Sequence, residues 1–248
     1  MTDLDKLRSR GLWQDGQELR LHLGCGETHL AGYVNVDYPT TSHSVMNVSP
    51  DFEADITNLS FPVGSVTEIR LHHVFEHLSR IDALASLIRW QQWLAVGGEL
   101  LIETPDFEAS ARDFLAAPSL PLKLRAIRHL EGDQSDAWAY HIGQWFPERF
   151  SVTLGKLGFS EVTVTREESS HTPPLFNVTA RAKKQRAMSK AVLYEEACDV
   201  LAMFTVAEAE APTLAVWKLQ LARALDMPAP RGGEVRRRLR RYLMRLRP

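Results

Sequence analysis

Cysteine and long apolar runs are both scarce in this sequence, and each scarcity excludes a class of protein. The chain of 248 residues has only two cysteines, Cys25 and Cys198, and two thiols cannot form a disulfide framework or a zinc cluster. No uninterrupted apolar run approaches the roughly 20 residues of a membrane-spanning helix. Residues 1–20 mix charged and apolar side chains and lack the apolar core of a secretory signal. We therefore expect a cytoplasmic protein in a reducing compartment.

Basic residues are also scarce over most of the chain. The formal net charge is −2, but residues 231–248 hold eight Arg against one Glu, which leaves 21 basic and 30 acidic side chains elsewhere, a net charge of −9. A nucleic-acid-binding protein needs a basic face across its binding surface. The acidic body therefore favours small-molecule chemistry and argues against a nucleic-acid partner.

The apolar pattern alternates between strand-like and helix-like segments up to about residue 182. It predicts strands at residues 19–23, 33–37, 54–56, 66–72, 99–103, 161–166 and 175–182, and helices at 4–15, 80–95, 107–116, 122–130 and 147–157. The glycine pair at 97–98 is expected to end the second helix, and the polar, aromatic stretch 134–145 is expected on the surface. This alternation predicts an α/β fold, a Rossmann-like doubly wound sheet, mostly parallel, with helices on both faces.

The pattern changes after residue 182 to two helices rich in Ala and Leu, at roughly 188–207 and 211–226, with no further strand. We therefore predict a catalytic domain over residues 1–182 and a helical C-terminal extension over residues 183–248. The tail, residues 233–248, has apolar residues on one helical face and Arg on the others. It is either an interfacial helix that touches anionic lipid or an acidic protein at the inner membrane surface, or a solvated terminus.

A glycine turn follows the first predicted strand, and the second and third predicted strands each contain an acid. Gly24 and Gly26 flank Cys25, and a turn without side chains lets a ligand approach the backbone closely. Asp37 ends the second strand and Asp55 lies in the third. The carboxyl ends of the strands of a doubly wound sheet share one edge, where ligands bind, and an acid after the second strand suits ribose hydroxyls.

Five motifs stand in order along the chain: LHLGCG at 21–26, GYVNVD at 32–37, ADI at 54–56, HVFEHL at 73–78 and VGGEL at 96–100. Together they resemble the class I methyltransferases that depend on S-adenosylmethionine (SAM), and in particular the type-11-like group of predicted methyltransferases with GYxNVD and HVxEHL motifs. The resemblance covers about residues 19–182. It implies methyl transfer on a Rossmann-like fold with SAM as the cofactor.

The resemblance also implies where the cofactor binds. By the resemblance, Gly24 and Gly26 pass beneath the methionine part, Asp37 holds the ribose hydroxyls and Asp55 the adenine amino group, and His72 and His73 border the methyl end. Cys25 and Ile56 complete the set of implied cofactor-binding residues. Only residues 27–32 separate the glycine turn from the second strand, which is too short for a crossover helix. That side of the pocket is therefore either open or covered by another segment.

The methyl group of SAM is already activated, so the protein mainly has to align it with the acceptor. A hydroxyl acceptor also needs a base, and His73 and His141 are the candidate catalytic residues because histidine titrates near neutral pH. The resemblance implies a small-molecule or saccharide acceptor, for example a cell-surface glycan precursor in saccharide biosynthesis.

Two other classes of function remain open. One is a catalytically silent SAM-binding scaffold whose C-terminal extension recruits a partner. The other is a zinc metallopeptidase, since residues 73–77 spell H-x-x-E-H, although that site requires a long helix and a third ligand. The favoured interpretation includes no metal.

Several single residues have a structural interpretation beside the functional one. Cys25 is expected to be a small buried residue, His22 a satisfied core or edge side chain, and His129 a surface helix residue. The aromatic residues Trp138, Tyr140, Trp145 and Phe146 either line an acceptor pocket or form a local cluster under a loop.

Overall fold

A seven-stranded sheet forms the centre of the protein in a computed structural model, which describes residues 2–228. The strands are β1 (Arg20–Leu23), β2 (Val34–Asp37), β3 (Phe52–Glu53), β4 (Val66–His72), β5 (Leu94–Pro105), β6 (Phe159–Glu168) and β7 (Phe176–Lys184). Their order is β3-β2-β1-β4-β5-β7-β6. The pairings among β1 to β5 are all parallel, and β7 is antiparallel to both β5 and β6. The predicted mostly parallel, Rossmann-like sheet is confirmed.

Seven helices accompany the sheet in the described part of the chain. They are α1 (Asp3–Ser9), α2 (Arg80–Trp93), α3 (Phe107–Ala116), α4 (Leu120–Glu131), α5 (Pro147–Lys156), α6 (Lys190–Ala202) and α7 (Ala211–Ala224). Short 3₁₀ turns lie at Thr40–Ser42, Phe75–His77 and Glu208–Glu210. Ser79 and Ser189 begin α2 and α6, each accepting a hydrogen bond from the backbone N–H three residues later, as N-cap residues do.

Four aromatic side chains hold the turn after β4 against the helices. Phe75, Trp90, Trp145 and Phe150 are each at most 1% exposed. The ring of Phe75 lies 4.7 Å from that of Trp145 and 5.6 Å from that of Trp90, centroid to centroid. Aromatic pairs at such distances stabilise a core beyond the area that they bury. The turn at residues 75–77, which carries the HVFEHL motif, is therefore anchored in the core.

Two predicted elements have different bounds in the structure. The third strand is at residues 52–53 and not 54–56, because Phe52 is the buried side chain there and Asp55 begins a turn. The second helix ends at Trp93 and not at the glycine pair, because Leu94 is fully buried and pairs with Val66 in the sheet. The glycines lie inside β5, opposite an irregularity in its pairing with β4.

Three further expectations are corrected. The first helix stops at Ser9 and not at residue 15, since Gly11 takes a φ of +72°. His129 is not a surface residue: it is 9% exposed, and its Nε2 lies 3.0 Å from the carbonyl oxygen of Phe176. The stretch 134–145 lies only partly on the surface, because Trp145 is in the core.

The helical C-terminal part is present and packs on the sheet domain. Leu193, Leu201 and Leu221 are fully buried and belong to the same core as the sheet. The guanidinium of Arg80 on α2 lies over the rings of Phe204 and Trp217, at 4.4 and 4.6 Å. The division at residues 182 and 183 falls within β7 and stays a prediction, and the tail at 233–248 lies outside the described residues. No helix among those described is both long and apolar enough to cross a membrane.

Candidate active site

A cleft of about 640 Å³ opens at the carboxyl ends of β1, β2 and β4, a size typical of small-ligand sites. Seven of the nine sequence-predicted site residues line it: Gly24, Cys25, Gly26, Asp37, Ile56, His72 and His73. Asp55 and His141 are not among its lining residues. A cleft therefore lies at the edge where the order of the strands predicts ligand binding, and the roles of the seven residues that line it stay predictions.

The two glycines of the turn serve different purposes. Gly24 donates its N–H to the carbonyl oxygen of Val36 at 2.8 Å, and with φ at +69° a Cβ there would lie 2.2 Å from Cγ2 of Val74. Gly26 also has a positive φ, +53°, but a Cβ there would meet nothing within 4 Å. Gly24 is therefore required for packing inside the protein, whereas Gly26 leaves open space beside the backbone.

Asp37 is held in place by the turn that it faces. Its Oδ2 accepts a hydrogen bond from the Gly26 N–H at 2.7 Å, and its Oδ1 accepts one from the Tyr38 N–H at 2.7 Å. His43 Nε2 lies 3.3 Å from Oδ1, yet neither ring nitrogen of His43 forms a hydrogen bond, although the side chain is 2% exposed. His43 therefore occupies one side of the predicted ribose-binding carboxylate.

Most hydrogen-bond acceptor sites of the Asp55 carboxylate are filled by residues of its own turn. Its Oδ1 accepts hydrogen bonds from the N–H and hydroxyl of Thr57, at 2.8 and 2.7 Å, and its Oδ2 accepts one from Nδ2 of Asn58 at 3.0 Å. A carboxylate has about four lone-pair sites, so one is left for a ligand. Ala54 and Ile56, on either side, line the cleft.

Another segment covers the side of the cleft that lacks a crossover helix. Ser44 N–H donates to Asp136 Oδ2 at 2.9 Å, and Trp138 Nε1 donates to the carbonyl oxygen of Ser42 at 3.0 Å. Trp138 and Tyr140 line the cleft. Trp145 instead lies in the core, and Phe146 lines a separate pocket of about 420 Å³ beside α5 and α6.

The buried histidines at the end of β4 and β1 are neutral near pH 7. Burial lowers the pKa of both His72 and His22. His72 Nδ1 lies 3.4 Å from His22 Nε2, and His22 Nδ1 lies 3.0 Å from Oδ1 of Asn35. The interpretation of His22 as a satisfied core side chain is confirmed, as is the burial of Cys25, which is 5% exposed.

His73 lies between two carboxylates. Its Nδ1 is 3.2 Å from Oε1 of Glu76, and its Nε2 is 3.3 Å from Oε1 of Glu103. Burial alone would lower the pKa of His73, but the hydrogen bonds and charges of the two carboxylates raise it to about 10. The two carboxylates therefore favour the protonated form of His73, which has no free lone pair and is a poor general base.

The neutral form is favoured for His141, in contrast to His73. Burial lowers its pKa, its Nδ1 lies 3.0 Å from the carbonyl oxygen of His129, and its Nε2 lies 3.9 Å from Oε1 of Glu76. Its ring is 4.8 Å from that of His77, which lines the cleft. His141 is thus a neutral imidazole that contacts His77 in the cleft wall but does not line the cleft itself.

Two of the histidines that line the cleft, His43 and His77, are not among the predicted site residues. His77 lies within the motif on which the resemblance depends, so the motif itself was a signal. His43 lies in an irregular stretch rich in Pro, Thr and Ser, and that stretch contains no motif that would point to a site residue. Residues 75–77 form a single 3₁₀ turn and not the long helix that an H-x-x-E-H metallopeptidase requires.

No protein-family model matches this chain, and no curated protein matches it in sequence. Several solved structures are similar to it at low identity. A SAM-dependent methyltransferase of Thermotoga maritima, a possible histamine N-methyltransferase, is 15% identical over 73% of this chain and 88% of its own, with a TM-score of 0.46. A SAM-dependent methyltransferase of Archaeoglobus fulgidus is 16% identical over 73% and 92%, at 0.45. Human N-acetylserotonin methyltransferase, solved with SAM, is 18% identical over 68% and 48%, at 0.44.

Proposed function

We propose that this protein is a SAM-dependent methyltransferase that acts on a small-molecule or saccharide acceptor. The observation that carries the proposal is the joint placement of the glycine turn and Asp37 in one cleft, joined by the 2.7 Å hydrogen bond from Gly26. A glycine turn after the first strand and an acid after the second are what a ribose-containing cofactor requires.

The lining residues fit the cofactor part by part. Asp37 uses two of its lone-pair sites on backbone N–H groups, and the remaining sites can accept ribose hydroxyls. A ribose there would replace the contact with His43, whose ring nitrogens make no hydrogen bond that would be lost. The space beside Gly26 admits the methionine part, and Ile56 with Tyr38 offers apolar surface for the adenine.

The bound cofactor supplies a methyl group on a positively charged sulfur, which needs no further activation. This chain then has to orient the acceptor and exclude water. The cover formed by Trp138 closes the cleft beside the ribose position, and the faces of Trp138 and Tyr140 suit a sugar ring or another flat ligand. His73, already protonated, serves as a fixed positive charge rather than as a base.

The acidic body of the chain supports a small-molecule acceptor rather than nucleic acid. The proposal places the protein in the cytoplasm, with the tail at 233–248 as a candidate contact for the inner membrane surface or a partner protein. Methylation of a cell-surface glycan precursor remains the finer form of the proposal, supported by the sequence resemblance.

The test is release of S-adenosylhomocysteine from SAM in the presence of a panel of hydroxylated saccharides and small aromatic alcohols. We expect release that depends on one acceptor class and falls at least tenfold in Trp138→Ala. Phe146→Ala, which removes an aromatic residue from the separate pocket, is the matched control and should behave as wild type. Cofactor binding without release for any acceptor would favour the silent scaffold instead.

A further inference from the structure

We propose that Glu76, His77 and His141 form a divalent transition-metal site at the wall of the cleft. One ligand atom from each of the three residues lies within 4.8 Å of the others. One carboxylate and two imidazoles are ligands that Zn²⁺ and neighbouring divalent ions prefer, and three protein ligands leave coordination positions open. The site combines the turn after β4 with the loop before α5, so sequence spacing alone does not reveal it.

The two histidines already have the tautomer that a metal requires. His77 Nδ1 lies 3.2 Å from the carbonyl oxygen of Tyr140, and His141 Nδ1 lies 3.0 Å from that of His129. A carbonyl oxygen only accepts, so each Nδ1 carries the proton and each Nε2 keeps its lone pair. Metal-binding histidines are oriented in the same way, by donating the other ring N–H to a carbonyl or carboxylate.

Glu76 supplies the observation that points to a ligand. Its side chain is 2% exposed, and its Oε2 has no hydrogen-bond partner. Oε1 lies 3.2 Å from His73 Nδ1 and 3.9 Å from His141 Nε2, so Oε2 is the oxygen of this buried carboxylate that has no hydrogen-bond partner. A buried carboxylate oxygen without a partner is costly, and a bound cation would supply the partner that the described residues do not.

The backbone holds the two halves of the site together. The carbonyl oxygen of Glu76 accepts hydrogen bonds from the N–H groups of Ile142 and Gly143, at 2.9 and 2.8 Å. A Cβ on Gly143 would lie 2.9 Å from the carbonyl oxygen of Leu78, so only glycine allows this approach. His141 is thus fixed beside Glu76 before any ligand binds, as a preorganised metal site requires.

The position of the site suggests its role, which, unlike the site itself, rests on the proposed methyltransferase function. His77 lines the cleft, so an open coordination position would face the acceptor. A cation there favours ionisation of a coordinated hydroxyl. The acceptor oxygen then forms its bond to the methyl carbon, the carbon–sulfur bond breaks with its electrons going to sulfur, and the hydroxyl proton passes to solvent.

The experiment is a titration of the full-length protein with Co²⁺ after dialysis against a chelator, followed by visible absorption and calorimetry. We expect saturable binding of one ion, competed by Zn²⁺, and at least about tenfold weaker binding in Glu76→Gln, His77→Ala and His141→Ala. His77 is only half-buried, so His77→Ala removes a ligand without opening the core. His171→Ala, which removes an exposed histidine far along the chain, is the matched control.

The outcomes separate this site from the proposed function. Absence of saturable Co²⁺ binding in the wild type, or unchanged binding in all three ligand variants, would overturn the site. Binding of Co²⁺ together with failure to bind S-adenosylhomocysteine would keep the site and overturn the methyltransferase. If the proposed role is correct, chelation should lower kcat of the acceptor reaction and leave cofactor affinity unchanged.

Discussion

Replacing each of the two glycines of the turn by alanine should affect different properties of the protein, its stability for Gly24 and its ligand binding for Gly26. In Gly24→Ala, the new Cβ would lie 2.2 and 2.9 Å from the two γ-carbons of Val74. Both glycines have a positive φ, so alanine at either position also adopts the left-handed region. Only Gly24→Ala adds a collision, because a Cβ at Gly26 meets nothing within 4 Å.

The magnitudes follow from these two contributions. The left-handed conformation costs an alanine about 1–2 kcal/mol, and overpacking of a well-packed site costs about 1–3 kcal/mol more. We therefore expect Gly24→Ala to lower the free energy of unfolding by about 2–5 kcal/mol and Gly26→Ala by about 1–2 kcal/mol. At about 2–4 °C per kcal/mol for a chain of this size, Tm should fall by about 4–20 °C in Gly24→Ala.

The assay is thermal and urea unfolding of both variants and of each combined with Val74→Ala. In the Val74→Ala background the γ-carbons are gone and only the Cβ of residue 74 remains close, at 3.1 Å. Gly24→Ala should then cost little more than the left-handed contribution, about 1–2 kcal/mol. Gly26→Ala should instead weaken binding of S-adenosylhomocysteine while the fold persists, since its Cβ enters the cleft. If Gly24→Ala were as stable as Gly26→Ala, or if Val74→Ala failed to relieve it, the assignment of separate roles to the two glycines would be wrong.

Two further predictions concern buried side chains. Burial raises the pKa of Cys25 from an ordinary value of 9.0 to about 12 and also raises that of Cys198, so below pH 9 the thiolate fraction of Cys25 is reduced about a thousandfold. The native protein should therefore react with a thiol reagent far more slowly than the urea-unfolded protein. Equal rates would contradict this prediction. Asp106 is fully buried, accepts two backbone hydrogen bonds at the start of α3 and lies 2.5 Å from Nε of Arg166. Asp106→Ala should therefore lower the free energy of unfolding, measured in urea, by about 1–3 kcal/mol. Asp106→Asn should lower it by less, because the amide oxygen can still cap α3. An equal loss in both variants would mean that the cap contributes nothing to stability.

Local pattern was enough to predict the elements that carry the cofactor-binding edge. β4 and α3 occur at the predicted residues, 66–72 and 107–116. In β4 the apolar periodicity matches the burial, since Val66, Ile69 and Leu71 are fully buried. In α3 it does not, since Phe107 and Leu115 are exposed and only Ser110 is buried. Gly24 and Asp37 were identifiable because a glycine turn and a strand-ending acid have a direct chemical reason to be there. These features depend on neighbours in the sequence, and the sheet only brings them together.

The remaining parts of the site depend on contacts between distant segments. The cover over the cleft is held by Ser44 and Asp136, which are 92 residues apart, and no periodicity reports such a contact. The pKa of His73 is raised, against the effect of burial, by Glu103 on the neighbouring strand together with Glu76. Its residue type suggested a base, whereas these two carboxylates favour its protonated form. His141 meets Glu76 only because the loop before α5 folds back onto the turn after β4.

The central claim is that Asp37 and the glycine turn hold the ribose of an adenosyl cofactor, and calorimetric titration with S-adenosylhomocysteine tests it most directly. Loss of the charged hydrogen bonds to the ribose is expected to cost about 2–4 kcal/mol, so Asp37→Ala should bind about 30- to 1000-fold more weakly than wild type. Asp51→Ala is the matched control, because Asp51 also accepts a hydrogen bond from the backbone of β2, at 2.8 Å, but does not line the cleft. We predict saturable one-to-one binding in the wild type and the control and its loss in Asp37→Ala; no binding to the wild type, or equal binding to Asp37→Ala, would contradict the account.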